Sequence, residues 1–174
     1  MERELPGSAP EALEAFLGQW SAPEALEAFL GQWSGTTQWE ATAWGPARTA
    51  AAEVVFARAA AGLAVTMSYR HTESDGSRTD GIGVFTMDPG CPDTLWYHVN
   101  SMGLPPEAPA RASWQGGTLT IERRSDRGTA RHTLTVTDGL FTHAAGLRLG
   151  HASGFIPFMT TLCRRVANPA AGPA

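Results

Sequence analysis

From Ser34 to Val166 the chain reads as short stretches of alternating apolar and polar residues, cut at regular intervals by turn sequences. The clearest stretch is Leu63–His71, where Leu63, Val65, Met67, Tyr69 and His71 alternate with Ala64, Thr66, Ser68 and Arg70. Successive side chains of an extended strand point to opposite faces, so this pattern predicts a half-buried strand. Trp33–Trp44, Ala51–Arg58, Gly81–Asp88, Leu95–Asn100, Ala110–Gln115, Thr118–Arg124, Thr129–Thr137, Leu140–Leu149 and Phe155–Arg165 read the same way. Between them fall Asp75-Gly76, Asp88-Pro89-Gly90, Pro105-Pro106, Gly116-Gly117, Asp126-Arg127-Gly128 and Asp138-Gly139. Asp-Gly and Gly-Gly supply the positive φ angles of two-residue hairpins. No helical pattern longer than about ten residues intervenes, which argues against parallel βαβ units. About ten antiparallel strands on hairpin connections form a meander, and closing it removes both exposed edges. The expected fold class is all-β: an antiparallel up-and-down barrel of about ten strands, with a short N-terminal capping helix and an extra, duplicated helix.

The helices come from a repeat. Ser8–Trp20 reads SAPEALEAFLGQW, and Ser21–Trp33 repeats it without a change. In the second copy Ser21 and Glu24 form a capping box, and Pro23 is tolerated in the first turn. Leu26, Phe29 and Leu30 make one apolar stripe, and Gly31 ends the helix. Ser8, Glu11, Leu13, Phe16, Leu17 and Gly18 do the same in the first copy. Gly18, Ser21 and Pro23 interrupt any continuous helix, and a thirteen-residue offset would turn the second stripe by roughly 220° from the first. The second copy runs directly into strand sequence and takes the native place. The first is a surplus amphipathic arm carrying Leu13, Phe16, Leu17 and Trp20, expected to fray or to dock on an apolar surface, with a homodimer or domain swap through Ser8–Trp20 as one outcome. The expected organisation is an arm over 1–20, a barrel over 21–166 and a disordered Pro/Ala/Gly tail over 167–174.

Length and charge narrow the function. A chain of 174 residues fits one domain. A net charge of −4 argues against a general nucleic-acid surface. No apolar run approaches the roughly 20 residues of a membrane helix, and Met1–Pro6 lacks the pattern of a secretory signal. The expected location is the cytoplasm, with no membrane and no nucleic acid as partner. All 13 basic residues are Arg, which excludes Schiff-base lysine chemistry and, with abundant Gly, Pro and Ala, reads as the coding bias of a GC-rich, bacterial-type genome. Cys91 and Cys163 stand far apart, which excludes a thiolate zinc site. They are two free thiols or one disulfide.

Gly31-Gln32-Trp33-Ser34-Gly35, placed between a short helix and the first strand, resembles the Gly-x-Trp opening of the lipocalin and calycin barrels. The resemblance implies that Trp33 packs at the barrel base under an Arg of the last strand, Arg164 or Arg165. The Gly-x-Trp-x-Gly form is also similar to the opening of bacterial lipocalin-like barrels and of nitrobindin-type haem barrels. The strand count resembles fatty-acid-binding and nitrobindin-type barrels more than eight-stranded lipocalins. The C-terminal helix of secreted lipocalins and the helical lid of fatty-acid-binding barrels are missing, and Thr36-Thr37 replaces the Gly-rich nitrobindin continuation.

A small closed barrel is either filled or holds one ligand. Alternation places Trp33, Gly35, Thr37, Trp39, Ala41 and Ala43 inside on the first strand. Tyr69 and His71, then Arg123, then His132 follow on later strands, with Trp114 joining through Ala110 and Ala112. Trp96 and Tyr97 face opposite ways; Leu95, Tyr97 and Val99 are assigned inside. Gly35 and Ala41 beside large aromatics point to space. The candidate ligand-binding residues are Trp39, Tyr69, His71, Tyr97, Trp114, Arg123 and His132, an aromatic lining with a few polar groups. His71, His98, His132, His143 and His151 show no local metal spacing, so no metal and no resident cofactor are expected. The nitrobindin resemblance implies haem as the exception, with His143 or His151 as axial ligand. No Gly-x-Ser-x-Gly elbow or phosphate-binding loop is present. The expected function is binding of a small apolar ligand, fatty-acid-, polyketide- or aromatic-like. The alternatives are an isomerase or cyclase using Tyr69, His71 and His132 as acid–base groups, a haem barrel, and a filled barrel assembling through the duplicated helix.

Overall fold

A computed structural model describes residues 24–43, 45–87, 93–103, 108–125, 128–150 and 152–167. Ten strands follow one another along the chain: β1 Gly31–Trp39, β2 Arg48–Ala59, β3 Ala64–Glu73, β4 Arg78–Met87, β5 Thr94–Asn100, β6 Ala110–Gln115, β7 Thr118–Ser125, β8 Gly128–Thr137, β9 Leu140–Arg148 and β10 Ile156–Arg165. Each pairs antiparallel with its chain neighbours, and β10 closes against β1. The fold is the all-β closed antiparallel barrel that the sequence rhythm predicts. Two hairpins show why the rhythm was readable. Gly116-Gly117 and Asp138-Gly139 form two-residue turns with all four φ angles positive, between 51° and 78°, as such turns require.

β1 is shorter than expected. It ends at Trp39, not Trp44, and Ala41 and Ala43 are exposed beyond it. Gly45-Pro46 explains the stop: Thr42 and Gly45 bridge to each other across a tight turn, and Pro46 has no N–H to continue a ladder. Gly35 also departs from its reading. It does not open space inside the barrel; a Cβ there would overlap the Leu162 carbonyl of β10. Its role is to let two backbones approach.

One end of the barrel is plugged by a 3-10 helix over Glu24–Phe29, the end of the second repeat. Leu26 and Phe29 are fully buried, and each such burial stabilises by roughly 1.5–3 kcal/mol. The Phe29 ring lies 5.4 Å from Phe56, 6.0 Å from Trp114 and 6.1 Å from Phe141. Trp33 Nε1–H donates to the Phe29 carbonyl at 2.7 Å, tying helix to strand. The Arg165 guanidinium covers the Trp33 ring at 4.2 Å. It also donates to the Ala28 carbonyl at 2.8 Å and to that of Leu30, so a cation from the last strand caps the helix C-terminus. Arg165 fills the place the sequence left open between two arginines; Arg164 is exposed.

Phe56, Phe85, Leu119, Ile121, Leu134 and Phe141 complete this lower core. Cys163 is a buried free thiol, pushed up to about 11 by burial. Ser8–Trp20, Ser21–Pro23, Trp44, Cys91, His151 and the tail from 168 lie outside the described residues. Among the described residues no helix is long and apolar enough to cross a membrane.

Candidate functional site: a polar aromatic cavity in the upper barrel

Above the lower core the interior opens into a cavity of about 210 Å³. Trp39, Arg48, Met102 and Phe158 border both it and an adjoining outer hollow, which marks its mouth. The ten strands reach this level by continuing the same inward face that builds the core below. β3 carries Met67, then Tyr69, then His71; β7 carries Leu119, Ile121, then Arg123; β8 runs from Leu134 back to His132 and Ala130.

β4 makes room for the lining. Its inward positions at this height are Gly81 and Gly83. A Cβ on Gly81 would overlap the Tyr69 ring, and one on Gly83 would overlap the Trp96 indole. Two aromatic side chains from β3 and β5 therefore lie flat over bare backbone, an arrangement in which rings cover strand glycines. Trp96 in turn stacks on His98 at 4.7 Å and meets His132 at 5.3 Å. Tyr69 stacks on His98 and packs on His71 at 5.0 Å, and Trp39 meets His71 edge-on at 5.1 Å.

Hydrogen bonds lock the polar rings in pairs. The Tyr69 hydroxyl and His98 Nε2 are 3.1 Å apart. His132 Nδ1 and His143 Nε2 share a hydrogen bond of 3.0 Å, one ring donating to the other. Below them the Thr37 and Thr161 hydroxyls bond across β1 and β10 at 2.6 Å, on the border between core and cavity. Burial lowers the pKa of His71 and His98 to about 4 and that of His132 to about 3, helped by Arg48 at His71 and by Arg123 at the other two. His143 is held well below its ordinary value by burial and by the neighbouring histidines. All four are neutral at pH 7 and offer both a donor and an acceptor nitrogen. Burial raises the Tyr69 phenol, so it too stays uncharged. Arg48 and Arg123 supply the charge of the lining, and no Asp or Glu lines the cavity among the described residues.

Of the seven residues singled out from sequence, Trp39, Tyr69, His71, Arg123 and His132 line this one cavity. Two do not. Tyr97 points outward and is 44% exposed, as is Val99 at 43%; the inward residues of β5 are Trp96, His98 and Asn100. The inverted face has a physical reason: only the inner side of β4 leaves space for a large indole, while a phenol tolerates water. Trp114 is half-buried against Phe29 in the lower layer and lines no part of the cavity. Trp96, His98, His143 and Arg48 were missed as lining residues. Gly81-x-Gly83, two small residues on one face of a strand, was the available signal for Trp96.

The four histidines do not converge on a metal: no group of three or more potential ligands is present among the described residues. Of the two histidines that the nitrobindin resemblance offers to haem, His151 lies outside the described residues. His143 Nε2 is already engaged by His132. The cavity of about 210 Å³ is only somewhat larger than the roughly 150 Å³ that holds one benzene, whereas a porphyrin carries four pyrrole rings and their bridges.

No protein-family model matches the chain, and no curated protein shows significant similarity to it. Solved structures do resemble its fold. The S-type phycobiliprotein lyase CPES from Guillardia theta superposes with a TM-score of 0.61 at 15% identity, covering 89% of this chain and 98% of that one. Rv2717c from M. tuberculosis gives a TM-score of 0.61 at 16% identity, covering 84% of this chain and 99% of that one. At such identity the likeness concerns the fold alone.

Proposed function

We propose that the protein binds a small, largely apolar molecule inside the upper half of a calycin-like barrel and acts by sequestering it. The observation that carries this reading is the cavity of about 210 Å³ in which Trp39, Trp96, Tyr69, Met67 and Phe158 stand beside four histidines and two arginines. Ring faces that bury a ligand's body, with convergent polar groups that orient it, are the form a ligand pocket takes. A filled barrel is disfavoured by the same cavity. Binding is favoured over acid–base catalysis because of the histidines. With His71 and His98 at about 4 and His132 at about 3, they are weak bases at neutral pH, far from the pKa near 7 that general-base work favours. Tyr69, raised by burial, is a correspondingly weak acid.

The test is native mass spectrometry of the purified full chain, alone and with added 2-naphthol. A retained small molecule, or one naphthol per chain displaceable by a second aromatic, is the expected result. A chain that carries nothing and takes up no naphthol at saturating concentration contradicts the reading.

A further inference from the structure

Four imidazoles line the cavity, and they are not equivalent. Tyr69 holds His98 through a hydrogen bond of 3.1 Å, and His132 and His143 hold each other at 3.0 Å. His71 is 7% exposed and is fixed by ring packing instead: Trp39 meets it edge-on at 5.1 Å and Tyr69 lies against it at 5.0 Å. Neither of its ring nitrogens has a hydrogen-bond partner among the described residues. Those nitrogens are not sealed by protein. Among the described residues the buried side-chain nitrogens and oxygens without a partner are the indole nitrogens of Trp96 and Trp114, so the ring nitrogens of His71 open onto the cavity it lines. Burial and the nearby Arg48 charge keep this imidazole neutral, at about 4, with one donor and one acceptor nitrogen. A buried polar group without a partner is costly, so a molecule that displaces water from this space must answer His71.

The rest of the lining decides what else that molecule is. Arg48 pairs with Glu73 at 3.1 Å, and Arg123 is not without a partner, so the orienting contact falls to an uncharged group. The floor is apolar, with Val54, Met67 and Met159 buried there. Thr161 beside them already bonds Thr37 at 2.6 Å. His71 stands at the other end, beyond Met67 and Tyr69 on β3 and against Trp39 of the mouth. An entering molecule therefore meets apolar side chains at its leading end and an imidazole at its trailing end. Phe56, Phe85 and Phe141 fill the barrel below, which leaves a long acyl chain no channel. A volume of about 210 Å³ suits one or two rings, since roughly 150 Å³ suffices for benzene. A hydroxyl both donates and accepts, so it matches a neutral imidazole in either tautomer.

Resting on the reading of this cavity as a binding site, we infer that its ligand is a hydroxylated aromatic of one or two rings, selected by a hydrogen bond between its hydroxyl and His71, with the ring inserted toward Val54 and Met67.

The experiment measures binding of 2-naphthol and of naphthalene to the full chain and to His71→Phe, which keeps an aromatic ring beside Trp39 and Tyr69 and loses both nitrogens. The ratio of the naphthalene to the 2-naphthol dissociation constant is expected to fall about fivefold or more in the variant. A ratio taken within each chain cancels the different hydration of the two compounds. In the wild-type chain, 2-naphthol should shift the imidazole nitrogen resonances of His71 in nitrogen NMR, and naphthalene should not; this readout decides the matter where the variant fails to fold. An unchanged ratio in a folded His71→Phe chain, or His71 resonances that respond to both compounds alike, overturns the assignment while leaving the cavity a binding site. If neither compound binds the wild-type chain, the binding reading falls and the inference with it.

Discussion

The two halves of the barrel are built from the same ten strands and the same inward face, yet they do opposite things. β1 carries Trp33 below and Trp39 above; β7 carries Ile121 and then Arg123; β9 carries Phe141 and then His143. Below, the inward residues are fully buried hydrocarbon closed by Leu26 and Phe29 from the cap helix. Above, they are imidazoles, a phenol and two guanidinium groups around unfilled space. The comparison teaches that alternation along a strand decides only inside against outside. What changes a strand from stability to recognition is a change in the chemistry of its inward residues, two to six positions further along.

The sharpest way to break this comparison is to exchange the two tryptophans of β1 for alanine. Trp33→Ala removes a fully buried ring, its hydrogen bond to Phe29 and its contact with Arg165; it should cost roughly 3–5 kcal/mol. Trp39→Ala, at the half-buried mouth, should cost roughly 1 kcal/mol or less while weakening ligand binding. Urea unfolding of both variants checks this. Equal losses would mean that the halves are not distinct.

The second test concerns the glycines that seat the lining. Gly83→Ala places a methyl group against the Trp96 indole, and overpacking of that kind should cost roughly 1–3 kcal/mol. It should also alter ligand affinity, which an equally destabilising change in the lower core, such as Leu134→Ala, should not. If Gly83→Ala unfolds at the wild-type midpoint, Trp96 does not lie over β4.

The number and order of the strands were legible because alternation and turn chemistry are local, although β1 stops at Trp39 and not Trp44. The Trp33–Arg165 contact came instead from the resemblance of Gly31-x-Trp33 to the calycin opening, which offered it as one of two arginines. The face of β5 was not legible, since Leu95, Tyr97 and Val99 are as plausible inside as Trp96 and His98, and a one-residue change of face inverts every side chain. Trp114 was misplaced for a different reason. Its height in the barrel is set by the register of β6 against β7, and register is a property of the pairing, not of either strand. His143 could be assigned no partner for the same reason: His132 lies opposite Ala145 in the ladder, and its ring reaches diagonally to His143.

The upper half should also carry a distinctive pH dependence. His71, His98 and His132 titrate at about 4, 4 and 3 in the folded chain, below the ordinary value near 6.5. As pH falls below about 6.5 the unfolded chain binds protons that the folded chain refuses, so stability is full above that pH and declines toward pH 4. The slope is roughly 1.4 kcal/mol per pH unit for each histidine that stays neutral. Denaturation midpoints between pH 7.5 and 4.5 measure it, and His98→Gln should lower the slope. An unchanged slope in that variant would mean that His98 is not excluded from protonation.

The smallest effect is expected from the surplus repeat. Deleting Ser8–Trp20 leaves one intact copy, and Leu26 and Phe29 still plug the base. The melting temperature should hardly move. Sedimentation at several concentrations should show less dimer in the shortened chain than in the full one; equal monomer content in both would leave the extra copy without a role in association.

Ala130→Phe tests the central claim most directly. Ala130 lines the upper cavity, and a ring at that position fills the space without touching the cap, Trp33 or the lower aromatic cluster. Calorimetric titration with 4-nitrophenol should give one site in the wild-type chain and none in the variant, with both chains melting as folded barrels. Undiminished binding to a folded Ala130→Phe variant would place the ligand elsewhere and contradict the division of this barrel into a lower half that holds the fold and an upper half that holds a ligand.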